Sequence, residues 1–215
     1  MMKKVLIIGA HYDDAELGVG GTAAKLVDEG CEVFKVTLTD NDVIESAYNR
    51  RTRQKDSIED SKRASEILGI EEITDILQAP VCQLVYSTEM MQALEKVIRE
   101  KQIDTVFIHG EFDVNQDHCA AGKISKTAAR HCDNILIYQS NLYVCDPPFY
   151  PTIFFDISDY IEKKRLALAQ YGIEHQRFGA ENDTLFENNI RRNKVWGYSN
   201  GVQYAEGFLP FKLLF

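Results

Sequence analysis

Short apolar runs alternate along the chain with longer segments in which apolar residues recur at helical spacing. Val5–Ala10 is continuously apolar, which is typical of a strand that is buried on both faces of a parallel sheet. Glu16–Glu29 has a helical pattern and is followed by Gly30, a residue type that often ends helices. Glu32–Thr39 is rich in β-branched residues and predicts a second strand. Together these segments predict a strand–helix–strand unit with a right-handed crossover.

The alternation continues as far as Gly172. Further helices are predicted at Asp56–Leu68, Thr88–Lys101, His118–His131 and Ser158–Tyr171, the last with Ser158 as its N-cap. Further strands are predicted at Ile73–Leu77, Thr105–His109, Ile135–Gln139 and Ile153–Ile157. Two polar stretches fit neither pattern, so residues 41–55 predict a loop over the carboxyl edge of the sheet and residues 175–200 predict irregular structure. We therefore expect residues 1–215 to form one α/β domain with a mainly parallel sheet flanked by helices.

The composition narrows the range of partners. Hydrophobic residues make up 45% of the chain and charged residues 27%, as in ordinary globular proteins. The net charge of −9 argues against nucleic acid or an anionic lipid surface as the main partner, since both attract basic patches. No stretch approaches the roughly 18 apolar residues of a membrane span, and the start of the chain lacks the length and cleavage site of a signal peptide. With five cysteines and no CxxC motif, the chain is expected in the cytoplasm with reduced thiols.

A cluster of metal-binding residue types follows the first predicted strand. His11, Asp13 and Asp14 stand directly before the helix. Imidazole and carboxylate together suit Zn²⁺ and other divalent transition metals. His11 and Asp14 are close enough along the chain to bind one ion, which leaves Asp13 beside that ion. The alternative is that both aspartates cap the helix and interact with its positive end.

A second polar loop of the same kind follows a later predicted strand. It begins at Asp113 and ends with Asp117 and His118, just before a predicted helix. Ligands of α/β folds collect outside the carboxyl ends of the strands, so the two loops are expected to meet. The two loops together could then supply three protein ligands, the number found at catalytic zinc sites. Taken alone, Asp117 and His118 are also explained by a solvated loop.

At this point the sequence resembles a known family. The run AHYDDAELGVGGTAAKL resembles the AHPDDAE-type signature of LmbE-like, or PIG-L, deacetylases, and the DxNxDH loop resembles their DxHxDH motif. The resemblance continues in FFDISDYIEKKRLALAQY and YAEGFLPF, so it spans nearly the whole chain. It implies a Rossmann-like fold, Zn²⁺ or another divalent transition metal on His11, Asp14 and His118, and Asp13 as the catalytic base. It also implies hydrolysis of an N-acetylated amino sugar, such as an N-acetylglucosamine conjugate.

The chain departs from the family pattern in positions near the expected site. Tyr12 replaces the usual proline, and Asn115 stands where many members have a second histidine. An arginine is also missing from its usual place, which puts Arg53 or Arg50 forward as a substitute. Asp117 is expected to assist catalysis by orienting a neighbouring group. The residues expected to contact the substrate are Arg53, Asn115 and Asp113, with Asn141 as a further polar candidate and residues 143–150 as a stacking wall.

Two other classes of protein compete with this hypothesis. One is a non-catalytic module that binds a nucleotide or sugar on a Rossmann-like sheet, and the other is a degenerate family member kept as a structural subunit. A phosphate cradle at Gly18–Gly21 is disfavoured because the loop before it is acidic, and close helix packing explains the glycines. The expected partner is therefore a small N-acetylated sugar, and a homo-oligomer is allowed.

Overall fold

The fold is described from a computed structural model for residues 2–45, 50–172 and 185–214. The strands in these ranges are β1 Lys4–Gly9, β2 Glu32–Thr37, β3 Val43–Glu45, β4 Arg50–Thr52, β5 Glu71–Glu72, β6 Thr105–His109, β7 Asn134–Tyr138, β8 Ile153–Asp156 and β9 Ala205–Lys212. The helices in the same ranges are α1 Asp14–Asp28, α2 Gln54–Leu68, α3 Thr88–Lys101, α4 Gln116–Ala128, α5 Ile161–Leu168 and α6 Leu185–Ser199.

Within the described ranges, seven strands form one sheet in the order β5-β2-β1-β6-β7-β9-β8. The first five strands of this order are parallel to their neighbours, whereas β9 pairs antiparallel with β7 and β8 pairs antiparallel with β9. The prediction of an α/β fold with a mainly parallel sheet is therefore confirmed. None of the helices in the described part of the chain has the length and apolar character needed to cross a bilayer.

The core lies on both faces of the sheet. Val5 and Ile7 of β1 pack with α1, α2 and α5, while Leu6 and Ile8 point to the opposite face and pack with α3 and α4. Because both faces are covered by helices, successive residues of the central strand are all buried. This explains why β1 is a continuous apolar run rather than an alternating pattern.

Glycines let α1 pack closely on its neighbours. A Cβ atom at Gly18 would lie 2.1 Å from the ring of Tyr138, and one at Gly21 would lie 2.7 Å from Ile157. These contacts favour the helix-packing interpretation of the glycine run over a phosphate cradle. The helix also contacts two buried lysines: Lys35 of β2 donates to Glu16, and Lys164 of α5 donates to the main-chain oxygen of Leu17. The apolar pattern of the sequence does not identify either lysine as buried.

Several predicted elements were wrong in type or extent. Residues 73–77 form no strand, because Ile73 and Ile76 pack against the core beside α3 while the sheet edge is the two-residue strand β5. Residues 41–55 are not one loop, because β3 and β4 pair antiparallel and α2 already begins at Gln54. Such short polar strands carry too few residues for a period-two pattern to be recognised.

The C-terminal region also differs from the prediction. Part of the stretch predicted to be irregular forms α6, and residues 173–184 lie outside the described ranges. Ser158 does not cap α5, because a single 3₁₀ turn, Ser158–Tyr160, precedes the helix. Its hydroxyl instead donates to Asp156 Oδ1 and accepts from the backbone N–H groups of Gln203 and Tyr204. The side chain therefore joins two parts of the chain that the local pattern does not relate.

Candidate metal centre

Two strand ends bring the polar loops together. β1 and β6 are parallel neighbours, so the loop after Gly9 and the loop after His109 leave the sheet at the same edge. β7 pairs with β6 in a register that places Tyr138 opposite His109, which adds a third strand end to this edge. The site therefore lies outside the carboxyl ends of the parallel strands, as expected for this class of fold.

His11, Asp14 and His118 converge on one point. Their candidate ligand atoms all lie within 4.8 Å of one another. His11 Nδ1 is 3.2 Å from His118 Nε2 and 3.5 Å from Asp14 Oδ2, and His118 Nε2 is 3.3 Å from Asp14 Oδ1. Two imidazoles and one carboxylate form a donor set of the kind that holds catalytic zinc.

The ring nitrogen of each histidine that faces away from this point contacts a carboxylate. His11 Nε2 lies 3.1 Å from Asp117 Oδ2, and His118 Nδ1 lies 3.0 Å from Asp113 Oδ2. A carboxylate that accepts a hydrogen bond from one ring nitrogen leaves the other nitrogen with a lone pair for a metal. Both histidines are therefore oriented in the way that binding of a divalent metal requires.

The carboxylates around the two histidines also shift their pKa values. Burial acts to lower the pKa of His11, but its contacts with Asp117 and Asp14 outweigh burial and raise that pKa to about 10. Burial likewise opposes protonation of His118, yet the charge of Asp14 and the bond with Asp113 raise its pKa to about 9. Although burial alone would raise the pKa of Asp14, the nearby histidines hold it well below its usual value. The carboxylates of Asp14, Asp113 and Asp117 therefore favour a positive charge at the two histidines.

His109 is a site residue whose role the sequence pattern did not identify. The sequence places it only at the end of the predicted strand Thr105–His109, and in the structure its side chain is buried. Its Nε2 lies 3.0 Å from Asp14 Oδ2 and 3.0 Å from the Tyr138 hydroxyl, and its ring stacks on His118 with centroids 4.2 Å apart. Its position at the carboxyl end of β6 was the available signal, because that edge carries both ligand loops.

Asp13 and Asp14, at the start of α1, do not cap the helix through their side chains. Asp13 occupies the N-cap position without a side-chain cap hydrogen bond. Asp14 Oδ2 accepts from the backbone N–H groups of Ala10 and His11, which belong to the loop rather than to the helix. The carboxylate of Asp14 is thereby fixed toward the histidines, and Asp13 lies beside His11 on the wall of a cleft.

The cleft is small, with a cavity volume of about 130 Å³, which is below the range of enclosed small-molecule sites. Its lining includes both polar and apolar side chains. It is lined by His11, Asp13, Asn41, Val43, Thr52, Val81, Cys82, Asn115, Asn141 and Tyr143. The cleft therefore offers both hydrogen-bonding groups and apolar walls to a small polar ligand.

The residues predicted to contact substrate occupy different places. Asn115 lines the cleft, and its Oδ1 accepts from the backbone N–H groups of Asp117 and His118 at the start of α4. Asp113 faces His118 rather than the cleft. Arg53 is exposed and precedes α2 outside the set of cleft-lining residues, and the side chain of Arg50 lies outside the described residues. A contact of any of these residues with substrate stays a prediction.

Known proteins resemble this chain along most of its length. The PIG-L family, described as GlcNAc-PI de-N-acetylase, matches residues 6–129, which include both ligand loops. The chain belongs to the PIG-L family. Diacetylchitobiose deacetylase from Thermococcus kodakarensis, a relative of this chain, is 31% identical over 231 residues, which cover 97% of this chain and 84% of the relative.

Solved structures resemble this PIG-L chain across the whole fold. N,N'-diacetylchitobiose deacetylase from Pyrococcus horikoshii matches with a TM-score of 0.78 at 25% identity, covering 98% of this chain and 84% of that chain. A 4-carboxy-2-hydroxymuconate hydratase from Pseudomonas putida matches with a TM-score of 0.82 at 20% identity, covering 100% of this chain and 98% of that chain. The second likeness shows the fold alone, so the chemistry has to be argued from the site.

One departure from the PIG-L signature has a clear structural consequence. Tyr12, which replaces the usual proline, is buried, and its hydroxyl accepts from Gln78 Nε2. Its carbonyl oxygen accepts from Lys35 Nζ at 2.6 Å and from the Tyr171 hydroxyl at 2.7 Å. These contacts fix the peptide group that precedes Asp13, so the loop is held without the conformational restriction of proline.

Proposed function

We propose that this protein hydrolyses the acetamido group of an N-acetylated amino sugar, or of a conjugate of one, to acetate and a free amine. The observation that carries this proposal is the convergence of His11, Asp14 and His118 beside Asp13 on the wall of the cleft. Two similar proteins, both named as diacetylchitobiose deacetylases, support the same reaction and substrate class. The PIG-L match supports it at the level of the family.

His11, Asp14 and His118 would hold Zn²⁺ or a similar divalent metal, with Asp117 and Asp113 orienting the two histidines. A zinc ion so held supplies Lewis acidity, which polarises a carbonyl group and makes water more acidic. The donor set suits this metal because it combines two imidazoles with one carboxylate and because both histidines have carboxylate partners.

Asp13 has the position and chemistry of a general base. Its carboxylate lies on the cleft wall next to His11, and it is only 8% exposed. It would accept one proton from water as the water oxygen attacks the acetyl carbon. When the C–N bond breaks, the same proton passes from Asp13 to the leaving nitrogen, so the oxygen leaves in acetate and the sugar leaves as an amine. One carboxylate thus serves both proton transfers.

Asn115 would contribute to stabilising the carbonyl oxygen of the substrate. Its Oδ1 is already used by two backbone N–H groups at the start of α4, so its NH₂ group is the end left to face the cleft. A neutral amide in this position donates a hydrogen bond but does not supply a proton. We infer that Arg53, from the start of α2, and Asp113 contribute to recognition at most from the edge of the site.

A panel of substrates tests the proposal. N-acetylglucosamine, its glycosides, N,N'-diacetylchitobiose, nucleotide-linked N-acetyl sugars and an N-acetylated peptide would be assayed for amine and acetate release, with and without added Zn²⁺. We expect equal amounts of amine and acetate from at least one sugar, dependent on the metal. Release from the peptide alone would remove the sugar assignment, and binding of sugars without any release would support the non-catalytic module instead.

A further inference from the structure

Helix α6 forms hydrogen bonds with residues 139–141, which follow β7 and lead to the wall of the cleft. Arg192 of α6 donates from Nη2 to the main-chain oxygens of Gln139 at 2.8 Å and Ser140 at 3.3 Å. It donates from Nη1 to the main-chain oxygen of Asn141 at 3.3 Å. A single planar guanidinium therefore contacts three consecutive carbonyl groups, a geometry that the compact ammonium group of lysine does not reproduce.

The charged guanidinium of Arg192 interacts with backbone carbonyl groups rather than with a carboxylate. Among the residues that the structure describes, no carboxylate forms an ion pair with this guanidinium, which instead lies 4.8 Å from the ring centroid of Trp196. Burial lowers the pKa of Arg192 to about 10, so the group keeps its proton at neutral pH. An arginine that donates hydrogen bonds to several carbonyl groups restricts the position of the backbone that carries them, here residues 139–141.

Two further side chains hold the same segment. Gln139 Oε1 accepts from Arg192 Nη1, and Gln139 Nε2 donates to the main-chain oxygen of Tyr143 at 2.9 Å. Asn189 of α6 donates to the main-chain oxygen of Ser140 at 3.1 Å. Hydrogen bonds therefore restrain residues 139–143 at both ends, although these residues belong to no helix or strand.

This segment, residues 139–143, places the polar side chain of Asn141 on the wall of the cleft. Asn141 and Tyr143 line the cleft together with Asp13. Asn141 is only 8% exposed, and its Oδ1 accepts no hydrogen bond from any residue in the described ranges. A buried acceptor without a donor is unfavourable, so this atom is suited to a donor that arrives with the ligand.

We propose that Asn141 is a specificity-determining residue that accepts a hydrogen bond from a sugar hydroxyl group, and that Arg192 is the positioning residue that aims it. The proposal rests on the proposed function for its ligand class. It assigns to α6 a part in substrate recognition, through the carbonyl groups of residues 139–141 rather than through contact with the sugar.

A double-mutant cycle tests the link between the two residues. With N,N'-diacetylchitobiose as substrate, Asn141→Ala is expected to raise KM about tenfold, the scale of one hydrogen bond in binding, while kcat changes less than about threefold. Arg192→Met should raise KM in the same way. The double variant should resemble the weaker-binding single variant, because Arg192 acts through Asn141. Effects that multiply independently would overturn the positioning role.

Amide hydrogen exchange separates positioning from loss of the fold. Arg192→Met should speed exchange at residues 140–143 and leave β1 and β6 protected, whereas Asn141→Ala should leave the exchange pattern unchanged. Arg191→Met, on the exposed side of the same helix, is the matched control and should change neither exchange nor KM. If Arg192→Met does not fold, Arg192→Lys keeps the charge without the planar fork and should show the same directions. Unchanged exchange in a folded Arg192 variant would contradict the proposal.

Deoxy sugars test the role of Asn141 directly. The wild type should discriminate against one monodeoxy analogue of N-acetylglucosamine, and Asn141→Ala should lose that discrimination. If the wild type binds the sugar without hydrolysing it, the proposed function fails, and the same cycle measured as Kd by calorimetry still decides this inference. If the wild type neither binds nor hydrolyses any N-acetyl sugar, the role of Asn141 as an acceptor for a sugar hydroxyl is overturned as well.

Discussion

Asp117 Oδ2 lies 3.1 Å from Nε2 of His11, although the two residues are 106 positions apart along the chain. The same carboxylate accepts from the backbone N–H groups of Cys82 at 2.6 Å and Leu84 at 3.1 Å. Asp117 also directly precedes His118 in the first turn of α4. One residue therefore orients one histidine through its side chain and positions the other through the backbone, so the placements of the two histidines depend on each other.

Removing the charge of Asp117 should weaken metal binding. Asp117→Asn keeps the shape of the side chain but loses the negative charge that orients His11, and the expected loss in Zn²⁺ affinity is about 10–100-fold. Competition with a chromogenic chelator measures it. Asp133→Asn, which alters an exposed carboxylate at the start of β7, is the control and should keep the wild-type affinity. Full affinity in Asp117→Asn would show that this carboxylate does not orient a ligand.

Asp13 should matter for turnover and not for metal binding. Asp13→Asn keeps hydrogen-bonding capacity but cannot accept a proton, so kcat is expected to fall by roughly a hundredfold or more. Elemental analysis should still find one metal ion per chain. His118→Ala is the contrasting variant and should lose metal and turnover together. Near-normal turnover in Asp13→Asn would remove Asp13 from the role of base.

Metal affinity should rise with pH. The pKa values of His11 and His118 are raised to about 10 and about 9, so protons compete with a metal for these rings near neutrality. A metal binds neutral imidazole, and binding therefore releases these protons. The apparent affinity for Zn²⁺ should increase between pH 6 and pH 7.5, by up to about 100-fold per pH unit if two protons leave. Affinity that does not vary over this range would contradict the protonated metal-free state.

Calorimetry in buffers of different ionisation enthalpy counts the protons that leave on metal binding. The wild type should release more than one proton per Zn²⁺ below pH 8. Asp113→Asn should lower the number released, because the bond with Asp113 is one cause of the raised pKa of His118. The same variant separates this effect from a general loss of the fold, which circular dichroism would reveal.

The buried pair Lys35 and Glu16 should be required for stability. Both side chains are fully buried, and Lys35 Nζ donates to Glu16 Oε1 at 2.8 Å. Lys35→Met leaves the Glu16 carboxylate without its partner, and the free energy of unfolding should fall by about 3–5 kcal/mol. Urea denaturation measures the change.

A double variant separates the buried charge from lost packing. Lys35→Met with Glu16→Leu removes both charges and should recover most of the stability. Lys101→Met breaks an exposed ion pair with Glu71 and should cost less than about 1 kcal/mol. A loss in Lys35→Met as small as that in Lys101→Met would show that the buried charge is tolerated without its partner.

Local sequence was sufficient for the central elements and for the candidate ligands. The apolar run of β1 predicts a buried strand because both of its faces are covered, and α1, β2, α3 and β6 follow from similar patterns. His11, Asp14 and His118 could be proposed because each lies next to a strand end or helix start, and parallel strands end at one edge of a sheet. The chemistry of these residue types supplied the rest.

Other features were decided only by tertiary structure. Helix α6 has a weak sequence pattern, and its contacts with the segment after β7 are made by Arg192 and Asn189. Lys35 is buried in a strand because its ammonium group finds Glu16 and the carbonyl of Tyr12. None of these pairs is close along the chain, so no local pattern contains them.

The sequence by itself determined the succession of the central strands and helices along the chain, the charge of the protein, and the residue types available for a metal. Tertiary structure decided which atoms face one another, including Asp117 with His11, Asp113 with His118 and His109 with Asp14. The physical reason is one of range. Backbone periodicity and burial act over a few neighbouring residues, whereas a hydrogen bond or an ion pair depends on a distance that only the packing of the whole sheet fixes.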